Sequence, residues 1–211
     1  MCTVCCSVID VAFVVDSSFK SQGAVAWNQM IAFVNLVIDR LTISEYALRV
    51  SFVRYSDRAT VEFRFREYSD RPSTQQRILT ISYRGDSGNN LADALDVLRN
   101  QVFQASAGAR SAAPWVAVVV TDRSPSIRAQ EIASIASQAR VAGIQIIPVG
   151  ILGSGLNRNI LNQIAFSPSR VTTVNSYNEL SSVAIQVADW ICNTHLSKYF
   201  QWLLILNEIV R

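Results

Sequence analysis

Three stretches of the chain are apolar without alternation. They are Val8-Ile9-Asp10-Val11-Ala12-Phe13-Val14-Val15, interrupted only by Asp10, then Val116–Val120, and Ile144–Val149, interrupted only by Gln145. Short Val- and Ile-rich runs of this kind predict strands buried on both faces of a parallel sheet. Leu48–Tyr55 and Thr60–Phe65 alternate instead, with Ser56-Asp57-Arg58-Ala59 between them, which predicts a hairpin whose second strand lies on a sheet edge. Trp27, Met30, Ile31, Val34, Val37, Ile38 and Leu41 recur at helical spacing and predict a helix over 25–41. Leu91, Leu95, Leu98 and Val102 do the same for 91–103. Further helices are predicted from Asp70-Arg71-Pro72-Ser73 through Leu79, over 127–142, stopped by Gly143, and over 157–164. A last strand covers 170–174. A closing helix starts at Ser176 with Glu179 at the capping-box position and runs to about Cys192. Strand and helix alternate, so the expected fold is α/β. It is a doubly wound, mostly parallel six-stranded sheet with one antiparallel edge strand and helices on both faces.

One domain over 8–192 accounts for these elements. Residues 193–211 fit none of them and form an unassigned tail, whose apolar run Phe200–Leu206 is too short to span a membrane. Half of the 211 residues are apolar, enough for a sizeable core. The net charge of +3 is spread along the chain without runs, which excludes a nucleic-acid footprint. No signal peptide is recognised, because Met1 is followed at once by cysteines with no basic segment. Cys2, Cys5, Cys6 and Cys192 all lie near the ends. If the termini meet, Cys5 or Cys6 can bridge to Cys192, closing a loop worth on the order of 3–5 kcal/mol. Free thiols are the second reading. Zinc held by Cys2-x-x-Cys5 and Cys192-x-x-His195 is the third.

In open α/β sheets, ligands sit beyond the carboxyl ends of the strands. The first strand ends in Asp16-Ser17-Ser18, and the strand 114–122 ends in Asp122. Such oxygens suit a hard cation, but Lys20 stands two residues beyond Ser18. A lysine has no acceptor to offer a metal and repels one. Pairing of Lys20 with Asp16 or Asp122 is therefore the expectation, and it also argues against those carboxylates as hydrolytic acid and base. A phosphate-binding glycine loop is missing after the first strand, where no glycine occurs before Gly23. Gly85-Asp86-Ser87-Gly88 mimics a serine-protease motif, yet the only histidine is His195, in the tail. No enzyme activity is expected.

Five segments in register resemble the von Willebrand factor type A domain family, in the manner of its collagen VI and matrilin-type matrix members. They are Asp10–Ser18, Arg49–Asp57 with Val61-Glu62-Phe63, Val118–Asp122, Gly143–Gly150 and Tyr177-Asn178-Glu179-Leu180. The resemblance implies a Rossmann-like sheet and a metal-ion-dependent adhesion site at its edge. Asp16, Ser18 and Asp122 match that site. Lys20 stands where the family has a second serine, Asn89 where it has the coordinating threonine, Leu91 where it has another threonine, and Arg123 where it has a glycine. The implied site is degenerate, with no cofactor expected and Mg2+ or Mn2+ as the alternative. The implied function is a non-catalytic protein-binding module, secreted into extracellular matrix or acting in cell adhesion. Its partner is a protein, with a matrix protein or an integrin as the candidates. An intracellular scaffold of the same family is the alternative. Arg84-Gly85-Asp86 is the tripeptide that integrins recognise, in a loop expected on the same face.

Overall fold

The computed structural model describes residues 7–18 and 23–194. The expectations placed on Lys20, on Cys2, Cys5, Cys6 and His195, and on the tail from residue 195 onward lie outside the described residues. In chain order the elements begin β1 (Asp10–Asp16), α1 (Gly23–Ile38), β2 (Arg49–Tyr55), β3 (Ala59–Phe63), α2 (Arg71–Leu79) and α3 (Leu91–Val97). They continue β4 (Trp115–Thr121), α4 (Ile132–Val141), β5 (Ile144–Ile151), α5 (Arg158–Ile164), β6 (Thr172–Val174) and α6 (Leu180–Cys192).

The strands form one sheet in the order β3-β2-β1-β4-β5-β6. All pairs are parallel except β2 with β3. The doubly wound sheet with one antiparallel edge is therefore as the sequence pattern implies. Every residue of β1 is buried, because α-helices cover both faces. Val11, Phe13 and Val15 join the core under α1 and α6, whereas Ala12 and Val14 join the core under α3, α4 and α5. Consecutive side chains of a strand point to opposite faces, so an apolar run without alternation is what a central strand requires. Among the described residues no helix is long and apolar enough to cross a membrane.

Some boundaries differ from the pattern. The helix expected from 127 begins only at Ile132. Arg128 has a φ of 53°, which a helix cannot contain, and its guanidinium turns onto Glu131 and Asp96 at 2.7 and 3.0 Å. The helix expected over 91–103 changes to a π turn at Leu98–Val102, closed by the Phe103 amide on the Leu98 carbonyl at 2.9 Å. That wider turn seats Phe103 between Phe65 and Trp115, at ring separations of 5.4 and 5.5 Å. β3 stops at Phe63 after a register shift opposite Phe52 and Val53. Phe63 packs in one core and Phe65 in the other, so the chain turns over where continued alternation would have kept both on one face. α2 starts as expected, with the Asp70 side chain accepting from the Ser73 amide at 2.8 Å. Glu179 accepts from the Asn175 amide and the Ser176 hydroxyl at 3.1 and 2.9 Å, opening a 3-10 turn that leads into α6.

At the amino ends of the strands, buried Asp10 meets Arg110. The guanidinium approaches to 2.7 Å, and the Arg110 amide donates at 2.6 Å. The same side chain donates to the carbonyls of Ile9 and Ala47. One polar residue in a buried strand is thus neutralised in place and ties three loops together.

Candidate functional site

β1 lies at the point where strand order reverses, between β2 and β4. Chains leaving β1 and β4 diverge there and leave a crevice at their carboxyl ends. Asp16 ends β1, and Asp122 directly follows β4. The loop 84–90 closes the crevice from the side: the amides of Arg84 and Gly85 donate to the Ser17 hydroxyl and carbonyl at 2.8 and 2.9 Å. Ser18 forms a parallel bridge with Asp86.

Asp16 is fully buried and, among the described residues, accepts from four neutral donors. Oδ1 takes the Ser18 amide at 2.9 Å and the Ser18 hydroxyl at 2.5 Å. Oδ2 takes Asn89 Nδ2 at 2.6 Å and the Thr121 hydroxyl at 3.1 Å. Asn89 Nδ2 also stands 3.4 Å from the Ser18 hydroxyl, while Asn89 Oδ1 is buried without a hydrogen bond. Asp16, Ser18 and Asn89, matched separately from sequence, are thus brought into one network. Asp122 accepts from the Tyr177 hydroxyl, which also contacts Ser154 Oγ at 3.3 Å.

Two tyrosines went unnoticed as site residues in the sequence. Tyr55 stands opposite Asp16 in the β1–β2 register. Its buried hydroxyl faces Thr121 and Asn89, although no pairing there meets hydrogen-bond geometry. Burial first, then the Asp16 charge, pushes its ionisation well above the ordinary 10.0. Burial and then donation to Asp122 push Tyr177 upward as well. The available signal was positional: Tyr55 is the last residue of a strand adjacent to the one that ends in Asp16.

A divalent cation of the magnesium class needs oxygen lone pairs converging on one point. Here Asn89 turns an NH2 donor toward Asp16 and Ser18. A carboxylate has roughly four acceptor positions, and the four donors named above fill them on Asp16. This donor set, as arranged, does not fit such a cation.

The tripeptide Arg84-Gly85-Asp86 lies on this face. The Asp86 carboxylate accepts from the Ser56 hydroxyl at 2.5 Å and lies 3.8 Å from its neighbour Arg84. Gly88 is fixed by close approach, since its amide donates to Asp57 at 2.5 Å and a Cβ there would meet that same carboxylate oxygen at 2.3 Å. Cys192, at the end of α6, is disulfide-bonded. Its expected pairing with Cys5 or Cys6 falls outside the described residues.

Sheet order, the acid-tipped strands and the crevice at the switch point define a Rossmann-like domain with a candidate ligand site beyond the strand ends. The chain belongs to the von Willebrand factor type A domain family, whose pattern matches residues 10–186. Among its relatives, mouse matrilin-3 is 28% identical over 189 residues, covering 87% of this chain and 38% of the relative. Human matrilin-3 is 33% identical over 149 residues, covering 68% and 29%. The chain thus spans about a third of the length of the curated relatives it matches. A solved structure of proximal thread matrix protein 1 from the mussel byssus superposes with a TM-score of 0.82 at 24% identity, covering 90% of this chain and 47% of that one. That protein is also known with zinc occupying its MIDAS motif, the metal-ion-dependent adhesion site.

Proposed function

We propose that residues 8–192 form a non-catalytic protein-binding module of extracellular matrix or cell adhesion, with a sheet-end site that works without a divalent cation. The observation that carries the metal-free reading is the Asn89 amide, which donates to Asp16 Oδ2 at 2.6 Å. In the family pattern this position is a threonine that offers oxygen to the cation. An NH2 donor satisfies the carboxylate in the cation's stead. Lys20, two residues beyond Ser18, supplies positive charge for Asp16 or Asp122 in the same reading. Its ammonium would repel a cation at that rim. Calorimetric titration of the whole chain with magnesium or manganese chloride tests the reading. No binding is expected, and micromolar affinity would overturn it.

The extracellular location is supported by the matrix proteins among the relatives and by the disulfide at Cys192. Disulfides persist in oxidising compartments. Intact mass and peptide mapping without reductant, on protein from a secreting eukaryotic host, should give Cys192 joined to Cys5 or Cys6. Four free thiols would favour the intracellular scaffold instead.

The partner in this reading is a protein, a matrix component or an integrin, and the face containing Arg84, Gly85 and Asp86 meets it. For capture by an integrin, Asp86 must first leave Ser56 and Arg84. Unchanged cell adhesion on Asp86→Glu would remove the tripeptide from the reading. Loss of adhesion would keep it.

A further inference from the structure

The opposite end of the sheet holds a cleft of about 470 Å3 between the α1–β2 and β3–α2 connections. Two arginines converge there on Gly108. Arg49 Nη1 donates to the Gly108 carbonyl at 3.1 Å, and its Nη2 donates to the Glu45 carbonyl at 3.3 Å. The stem of Arg66 crosses the bare Cα of Gly108, where a Cβ would meet Arg66 Cγ at 2.7 Å. Gly108 has a φ of 87°, so the backbone there suits glycine for a second reason. Neither guanidinium is paired with a carboxylate among the described residues, and Arg66 makes no hydrogen bond there either. Arg110, nearby in sequence, shows the contrast, since its charge is used up on Asp10. Two guanidinium-bearing side chains reaching one glycine place positive charge at the cleft, which an anion would complement.

The remaining lining narrows the ligand. Tyr68 is held edge-on to Phe63 at 5.1 Å, which fixes its ring at the cleft wall. The Ser44 hydroxyl accepts from the Ala47 amide at 3.0 Å and keeps its own proton to donate. Glu45 also lines the cleft, and its carboxylate makes no ion pair among the described residues. A run of carboxylates on a peptide would be repelled by Glu45. Hydroxyl groups on a sugar would instead donate to it. Aromatic wall, hydroxyl, lone acceptor and two guanidinium-bearing side chains together match a ring that carries both hydroxyls and a negative group. Pockets of a few hundred Å3 hold small ligands, and this one has room for about one or two rings.

We propose that the cleft between Arg49 and Arg66 binds an anionic saccharide, a sulfated or carboxylated sugar unit, independently of the site at the other end of the sheet. The test is calorimetry on the whole chain with a chondroitin sulfate disaccharide, with hexaglutamate and inorganic sulfate as competing probes. The disaccharide should bind, and Arg66→Gln should weaken it on the order of tenfold, as expected for loss of a charge-assisted hydrogen bond. The exposed Arg58, in the β2–β3 turn at the other end, provides the charge control, and Arg58→Gln should leave the affinity unchanged. Glu45→Gln should weaken the disaccharide while strengthening hexaglutamate. The proposal is overturned if Arg66→Gln melts like the parent and binds the disaccharide equally well. It is also overturned if hexaglutamate or sulfate alone binds as tightly as the disaccharide.

Discussion

Asp10 and Asp16 begin and end the same buried strand, and both are fully shielded from solvent. Their surroundings differ among the described residues. Asp10 is met by a full opposite charge, with Arg110 donating from its side chain and its backbone. Asp16 draws four described donors, all neutral: a serine amide and hydroxyl, an asparagine amide and a threonine hydroxyl. A buried charge needs pairing and hydrogen bonds to persist. At Asp10 the pairing is built into the framework and consumes the arginine. At Asp16 the described donors are amides and hydroxyls at the mouth of a crevice, where the family places its ligand chemistry. One strand thus carries a structural carboxylate at one end and a site carboxylate at the other.

Breaking the framework end should have the largest effect. Arg110→Leu leaves Asp10 buried without its cation and should cost about 3–5 kcal/mol, read from the midpoint of urea unfolding. An unchanged midpoint would mean that Asp10 is neutralised some other way and that the contrast with Asp16 is false.

A smaller loss is expected at the site end. Tyr177→Phe removes the hydroxyl that donates to Asp122 and should cost about 1–3 kcal/mol at neutral pH. It should also change the alkaline limb. Tyr177 and Tyr55 both have folded-state ionisation raised above the ordinary 10.0. Their contribution to stability is complete below about pH 10 and falls as pH rises into the range where the folded protein must ionise them. Unfolding curves collected from pH 8 upward should therefore decline less steeply in Tyr177→Phe than in the parent. An identical slope would show that the phenol does not distinguish the two states.

The smallest effect is expected at the exposed cap of α2, away from both carboxylates. Hydrogen bonds from Ser73 lower the ionisation of Asp70. Its contribution is present above the unfolded-state value, near 3.8, and is lost as pH falls through the lowered folded value. Asp70→Ala should flatten the acid limb of the stability profile slightly without altering the alkaline limb. A change at alkaline pH would place Asp70 in contact with the tyrosine site.

The differences between sequence pattern and structure cluster where side chains from distant elements compete for one position. Leu91–Phe103 has unbroken helical spacing, but Phe103 must reach Phe65 and Trp115, and the last turn widens to allow it. Helical spacing likewise extends through Arg128, whose attachment to Asp96 in α3 holds it outside the helix. In the site, Asp16, Ser18, Asn89 and Asp122 were legible because the family motif marks them. Tyr55 and Tyr177 were not legible, since a tyrosine in a strand end or a helix opening looks like ordinary core.

The sequence by itself determined the α/β class, the six strands, the antiparallel edge and the acid at the tip of β1. These follow from local periodicity, because a strand buried on both faces must be apolar throughout and an edge strand must alternate. Tertiary structure alone decided which way the Asn89 amide faces, which carboxylate receives the arginine, and that Arg49 and Arg66 both reach Gly108. Those outcomes depend on residues 59 positions apart for Arg49 and Gly108, 73 for Asp16 and Asn89, and 100 for Asp10 and Arg110, sharing one small volume. Electrostatics and hydrogen-bond geometry act on such distances in space, and a one-dimensional pattern does not carry them.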